Sequence, residues 1–434
     1  MKILIITYSY TPDLTPRAFR WSALAQQFLL LGHEVHILCA ARLSQEASAS
    51  DDGVKVHRVQ DWLLNASRRV TPASTGADAG ITNFPQSKPW HKFTATLRKF
   101  ARAVWRATYW PDFACGWIIP ATAAARQLCT HHDFDWMISV SHPFTGHVVG
   151  HRARTHAGQA KWLVDIGDPF HLMSEPAPNN QRLYSRLSRL VENRILTNAD
   201  AVCVTTESTR QMYRTHFAVP AEKIRLAPPL LSLPALPQGA PPSTRPVLRL
   251  VFVGTLYRKL RSPGYLLACF EALLSAIPDR KLELHLYGAV NDCAEELAAC
   301  PVQVRKLLFV HGMVSRTQVH GAMLDADILV NIGNDSASQL ASKVIEYMAM
   351  GRPILNLVSI EQDTSVQALS DYPATLTLKR NSKGLSSNEL DKLRAFVIAP
   401  PNVSSCAVER VRERFSASHV ANLYIAQMSG QPEP

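Results

Sequence analysis

Short apolar runs alternate along the chain with longer stretches whose apolar residues recur every three or four positions. The first pattern is that of strands buried on both faces, the second that of helices with one face on a core. "KILIIT" (2–7) predicts an opening strand, and the loop "YSYTPDLTPR" follows. Thr15 then suits an N-cap and Pro16 the first helical position. Ala18, Trp21, Leu24, Ala25, Phe28 and Leu31 share one helical face before Gly32 stops the helix and "HEVHILCA" begins a second strand. Further strands are predicted at "WMISVS" (136–141), "KWLVDIG" (161–167) and "AVCVTT" (201–206).

Residues 227–246, "APPLLSLPALPQGAPPSTRP", hold seven prolines. Proline lacks the N–H that a helix interior or central strand needs, so this stretch reads as a linker, 227–247. Beyond it the alternation restarts with "LRLVFVGT" (248–255), "LELHLYG" (282–288), "KLLFVHG" (306–312), "DILVNIG" (327–333) and "PILNLVS" (353–359). Two successive sets of alternating strands and helices predict two doubly wound α/β domains, 1–226 and 248–405. The remaining segment, 406–434, predicts one helix near 408–428, placed to pack back on the first domain. The polar stretch 66–89 reads as a loop. "HKFTATLRKFARAVWR" (91–106) predicts a basic amphipathic helix, suited either to an anionic membrane surface or to packing on the core with its basic back in solvent.

Composition narrows the classes. The chain has 434 residues, 47% apolar and 19% charged, as in an ordinary globular protein. No apolar run approaches the ~18 residues of a membrane span. The eight cysteines form no Cys-x-x-Cys pair, which fits a reducing cytoplasm and gives no zinc pattern. "HHDFD" (131–135) lacks a second cluster to complete a metal shell. Net charge is +11, which suits acidic partners, and with no nucleic-acid-binding motif these reduce to anionic lipid or phosphorylated small molecules. The loop after the first strand has no glycine, so a dinucleotide-binding fingerprint is absent there and a nucleotide site is expected in the second domain.

"MKILIITYSYTPD", "RWSALAQQFLLLGHEVHILCA", "HPFTGHVVG" (142–150), "WLVDIGDPF" (162–170), "FVGTLY" (252–257) and "ASKVIEYMAMGRPIL" (341–355) together resemble glycosyltransferase family 4, in order along nearly the whole chain. The resemblance implies the GT-B fold, two Rossmann-like domains facing across a cleft. It also implies transfer of a sugar from a nucleotide-sugar co-substrate to a glycan or lipid-linked acceptor. Configuration would be retained, with neither cofactor nor catalytic metal. A nucleotide-sugar epimerase of the same architecture and a non-catalytic relative acting as an assembly partner are the alternatives.

The family's donor side maps onto Gly254, Arg258, Lys259, Arg261, Gly312, Gln339, Ser342, Lys343 and Glu346. Arg261 and its neighbours would meet the diphosphate and stabilise charge on the leaving group. Ser342 and Lys343 would do so at a helix start, and Glu346 would accept from the ribose hydroxyls. Without the resemblance, Lys343 and Glu346 read as a surface pair at i, i+3. The family usually carries an earlier glutamate; here that position is Ser338, and Gln339 fits a variant Gln-x-x-Ser-Lys pattern. His142 is the candidate cleft histidine, with His147 as competitor. Asp168, and less so Asp165, sit at a strand's carboxyl end, where they would meet substrate or merely cap a turn. Asp13, Thr15 and Arg17 fall on the acceptor side.

Overall fold

The computed structural model describes residues 1–13, 15–41, 48–62, 105, 107–173, 177–231, 246–334, 340, 343–381 and 384–431. The predicted helix 91–106 lies outside these, apart from Trp105. The chain folds as two compact units, Met1–Pro228 with Val420–Pro434, and Pro229–His419.

The first unit is built on β1 (Lys2–Ile6), β2 (Glu34–Ala41), β3 (Ser48–Asp51), β4 (Val54–Gln60), β5 (Trp136–Ser141), β6 (Lys161–Ile166), β7 (Ala201–Val204) and β8 (Ile224–Leu226). Their order is β3-β4-β2-β1-β5-β6-β7-β8, parallel except for β3. Chain reversal between β2 and β5 leaves β1 central, and Ile3 to Ile6 are fully buried there. The helix Pro16–Leu30 starts on Thr15, whose hydroxyl accepts from the Ala18 N–H at 3.2 Å.

The second unit has β9 (Val247–Val253), β10 (Lys281–Tyr287), β11 (Leu308–Gly312), β12 (Ile328–Ile332), β13 (Ile354–Val358) and β14 (Thr375–Lys379). All are parallel, in the order β11-β10-β9-β12-β13-β14. Both orders reverse beside the first strand of the unit, and the carboxyl ends at such a switch point are where open α/β sheets bind ligands.

β3, β4, β8 and β14 have no counterpart in the apolar-run reading. They lie at or next to sheet edges, and "VKVHRVQ" or "TLTLK" alternates with polar residues as an edge permits. Where the pattern predicts a single C-terminal helix, there are two, Ser405–Arg414 and Ala417–Met428. The break falls at Phe415, whose carbonyl accepts from Leu231 N–H instead of continuing the helix.

The first unit also buries titratable groups. His147 is fully enclosed against Ser139, with Nδ1 2.8 Å from Oγ, and burial holds its imidazole down to about 3. Burial, with His36 beside it, lowers His57 to about 4. Glu192 moves the other way, to about 7, because burial outweighs its bonds from Tyr213 and the His171 and Phe170 amides. A histidine depressed from its ordinary ~6.5 stabilises the fold above that pH and loses this as pH falls toward the folded value. The raised Glu192 does the reverse, losing its contribution as pH rises from 4.5 to 7. The lowered histidines, with His36, His151 and His171 joining these two, outnumber the raised carboxyls Glu192 and Asp112, so stability rises with pH between about 4.5 and 6.5; His147, His57 and Glu192 alone contribute up to ~1.4 kcal/mol per pH unit. Urea midpoints across this window should therefore climb, and Glu192→Gln should steepen the climb. A flat profile in both proteins contradicts the assignment.

Candidate functional site

In the second unit, Gly254 and Gly288, just after β9 and β10, lie side by side with Gly312, the last residue of β11. Gly254 N–H donates to Tyr287 O at 2.9 Å and Gly288 N–H to Gly312 O at 2.8 Å. Gly288 has φ +125°, and a Cβ there would sit 2.1 Å from the Gly254 carbonyl oxygen, so only glycine lets the strand ends approach. Gly288 is the member of this row that the sequence did not single out.

The loop after Gly254 is a tight turn. Arg261 N–H donates to Tyr257 O at 2.7 Å, and Tyr257 N–H returns to Arg261 O at 3.3 Å. Arg261 is thereby tucked under the loop, with Nη2 donating to Asn334 Oδ1 at 2.6 Å and Nη1 to Thr255 O at 3.3 Å. Burial lowers its pKa, and the charges of Tyr347, Asp363 and Tyr257 oppose the shift. Its Nε is buried without a hydrogen-bond partner. Arg258, Lys259, Arg261 and Arg380 line one pocket at the ends of β12 and β13. Four cations around one pocket suit a polyanion such as a diphosphate. Arg258 is the least committed to the pocket. It is exposed and donates to Asp292 O at 2.8 Å and Glu295 at 3.4 Å. Arg380, which follows β14, escaped the sequence reading because that edge strand did.

Glu346 belongs to the helix Lys343–Ala349, and Gln339, Ser342 and Ser338 lie outside the described residues. Lys343 and Glu346 form the i, i+3 pair at 2.5 Å, but not as a surface pair, since Glu346 is 6% exposed. His320 is buried close by. Burial lowers its pKa and the Glu346 charge opposes that, while its Nε2 has no hydrogen-bond partner. No motif marked His320, because it is brought to Glu346 only by packing of the helix Arg316–Leu324. The next residue, Tyr347, fixes the helix to the sheet. Its hydroxyl accepts from Val253 N–H at 2.8 Å and donates to Val253 O at 3.2 Å, closing the end of β9. Glu346 does not line the pocket of Arg261.

In the first unit, His142 follows β5 and is half-buried, 5.7 Å from the Phe113 ring. Both of its peptide bonds are cis. Behind it lies Asp112, fully buried, accepting from Thr145 N–H at 2.9 Å, Thr145 Oγ1 at 2.7 Å and Ala114 N–H at 3.0 Å. Burial raises the Asp112 carboxyl pKa, and the His142 charge is among the influences opposing it. His147 is a core residue and does not compete with His142.

Asp168, after β6, stands 3.7 Å from Arg17. The Arg17 guanidinium lies over Gly167, where a Cβ would fall 1.4 Å from Nη2. Phe144 stacks on Phe170 at 3.8 Å, joining the His142 and Asp168 loops. Glu192 holds the second loop through the Phe170 and His171 amides. Thr15 spends its hydroxyl on the helix cap, and Asp13 sits in the preceding turn with N–H bonded to Tyr10 O at 3.0 Å. Asp165 is structural: it is wholly buried within β6 and accepts from Tyr424 of the last helix.

Among the described residues no group of three or more His, Cys, Asp or Glu is placed to hold a metal ion. In "HHDFD", His131 bonds its own helix at Gln127 O and His132 packs on His36.

Residues 18–229 match the glycosyl transferase 4-like domain and residues 248–360 the glycosyl transferases group 1 domain. No curated protein sequence matches the chain significantly. Among solved structures, sucrose-phosphate synthase from Thermosynechococcus elongatus is similar at 16% identity and TM-score 0.63, over 99% of this chain and 100% of that one. The lipopolysaccharide outer core galactosyltransferase WaaB is similar at 13% identity and TM-score 0.59, over 99% of each chain. A TarM mutant from S. aureus, in complex with Fondaparinux, alpha-GlcNAc-glycerol and UDP, is similar at 11% identity and TM-score 0.58, over 98% of this chain and 99% of that one. With two family domains in this order on two Rossmann-like units, the chain belongs to the 4-like glycosyltransferases of GT-B fold.

Proposed function

We propose that the protein transfers a sugar from a nucleotide-sugar donor to a glycan or lipid-linked acceptor, in cell-surface polysaccharide or glycolipid synthesis. The observation that carries this reading is the gathering of Arg258, Lys259, Arg261 and Arg380 around one pocket at the carboxyl ends of the second sheet. Such a pocket takes the donor diphosphate, and Arg261, partly desolvated, offsets the charge that grows as the glycosyl–oxygen bond to phosphate breaks. The acceptor hydroxyl forms the new glycosidic bond and its proton leaves to the departing diphosphate. Configuration is retained and side-chain cations take the place of a catalytic metal. Glu346 holds the ribose, with Lys343 and the backbone near Gly254 and Gly312 beside the phosphates.

On the acceptor side, Arg17 and Asp168 bind acceptor hydroxyls, with Asp13 beside them. His142, at the loop after β5 near Asp112, supports transfer rather than folding. The reaction is placed in the cytoplasm, consistent with eight free cysteines. No described helix is long and apolar enough to cross a membrane.

A panel of nucleotide sugars tests the reading, scored by thermal stabilisation and by release of nucleoside diphosphate with and without acceptor extract. One donor should stabilise the protein, and its turnover should require acceptor. His142→Ala should cut turnover ~100-fold, in the range of a positioned acid–base or polar group, with little change in melting temperature. Stereochemical inversion of a donor carbon without any acceptor would instead mark an epimerase, and no stabilisation by any donor would mark a non-catalytic protein.

A further inference from the structure

The helix Gln181–Asn198 of the first unit carries a feature that the transfer chemistry does not use. Its inner face buries Ser188, Glu192, Ile195 and Leu196. Its outer face exposes Leu183, Leu187 and Leu190, at 62%, 43% and 62% of their surface. Their spacing of four and three residues sets them on one stripe. Arg182, Arg186 and Arg189, all exposed, run alongside as a second stripe, and Arg194 follows. The helix has a single acid, Glu192, and it points inward onto Tyr213 and the loop amides. The outer face therefore combines apolar side chains with positive charge alone.

A second element extends the patch. Trp105 is exposed, and its segment is tied to the start of the same helix. Tyr184 Oη donates to Thr108 O at 2.7 Å, Asn180 Nδ2 to Ala107 O at 3.1 Å, and Trp110 Nε1 to Ser188 Oγ at 3.3 Å. Three leucines beside a row of arginines on one helix face, with an exposed tryptophan on a segment bonded to the same helix, form a combination that partitions into a bilayer headgroup region.

We infer that this helix face docks on an anionic lipid surface. The leucines enter the acyl boundary, the arginine stems lie along it, and the guanidinium groups meet lipid phosphates. Each arginine adds attraction only where the surface is negative, so the docking is selective for anionic lipid and weakens with salt. A second copy of this chain is the poorer occupant. Pairing the face with itself across a two-fold axis would set arginine stripes of like charge against each other. Because the inner face of the same helix holds the Asp168 loop through Glu192, docking would bring the acceptor-side loop to the membrane. The inference goes beyond the transfer reaction and is tested without donor or acceptor.

The test is co-sedimentation of the full chain with vesicles of phosphatidylcholine alone or mixed with phosphatidylglycerol. Binding to the mixed vesicles should be stronger by roughly tenfold or more, and should fall in high salt. Two triple variants, Leu183→Ser/Leu187→Ser/Leu190→Ser and Arg182→Gln/Arg186→Gln/Arg189→Gln, should each lose roughly tenfold or more. Their thermal unfolding should match the parent, since all six side chains point outward. Equal binding to both vesicle types, no binding to either, or variants that bind like the parent would each overturn the inference. So would a dimer in sedimentation velocity that the leucine variant dissolves, which would assign the stripe to self-association.

Discussion

Arg20→Leu should destabilise the first unit by about 3–5 kcal/mol, the cost of breaking a buried charged network by removing one partner. The guanidinium is 5% exposed and donates to Pro228 O at 2.6 Å, Ala227 O at 2.9 Å and Tyr424 Oη at 3.0 Å. Tyr424 in turn donates to Asp165, which is wholly buried in β6. One arginine thus ties the end of the first domain's chain, the last helix and the sheet. Leucine fills much of the volume but leaves two carbonyls and a carboxylate without their cation. At about 2–4 °C per kcal/mol for a unit of this size, the melting temperature should drop by roughly 10 °C. Adding Asp165→Leu should recover part of the loss, because no uncompensated charge then remains. Urea unfolding of the single and double variants measures both quantities. A loss below about 1 kcal/mol for Arg20→Leu is the ordinary outcome of a surface substitution and would deny the network its role.

Glu346→Gln should weaken donor nucleotide binding by roughly tenfold or more. A carboxylate accepting from two ribose hydroxyls makes charge-assisted bonds of ~1.5–3 kcal/mol each, partly offset by desolvation. About 1.4 kcal/mol of net loss is a factor of ten. Glutamine keeps the shape while removing the charge that Lys343 faces at 2.5 Å. Stability will move as well, since Glu346 is buried, so binding must be read below the unfolding temperature of the variant. Ser338→Ala is the control, as serine at that position is short and neutral. Isothermal titration with the cognate nucleotide compares the two. Should Ser338→Ala lose as much affinity as Glu346→Gln, the carboxylate is not on the ribose.

Much of the fold was legible because buried parallel strands leave a plain signal. "WMISVS" matches β5 residue for residue, and each of the other predicted strands lies within a residue or two of an observed one. That legibility fails at the edges. β14, "TLTLK", alternates with polar residues and sits at the end of its sheet, so the pocket residue Arg380 behind it stayed unseen. The candidate site divides the same way. Gly254 and Gly312 were marked by the family resemblance, whereas Gly288, though it too ends an apolar run, is distinguished only by a carbonyl from another strand pressing on its missing Cβ.

By itself the sequence determined the class of the protein. Apolar runs, helical three-to-four-residue recurrence, the proline-rich 227–246 stretch and an ordered series of motifs suffice for two Rossmann-like units and a glycosyltransferase family. These depend on local backbone preference and on which residues leave water, both written along the chain. What only the tertiary structure decided is which polar residues are committed to holding the fold. Asp165 and Asp168 look alike three positions apart, yet one is sealed onto Tyr424 and the other stands beside Arg17. His142 and His147 look alike five apart, yet one is half-buried at a loop within reach of the Asp112 charge and the other is enclosed with Ser139. Arginines also part ways, Arg20 buried under three acceptors and Arg186 exposed beside Leu187. The physical reason is that a side chain's charge, reach and partners depend on neighbours brought from tens or hundreds of residues away, and the cost of burying it is set by those neighbours rather than by its own type.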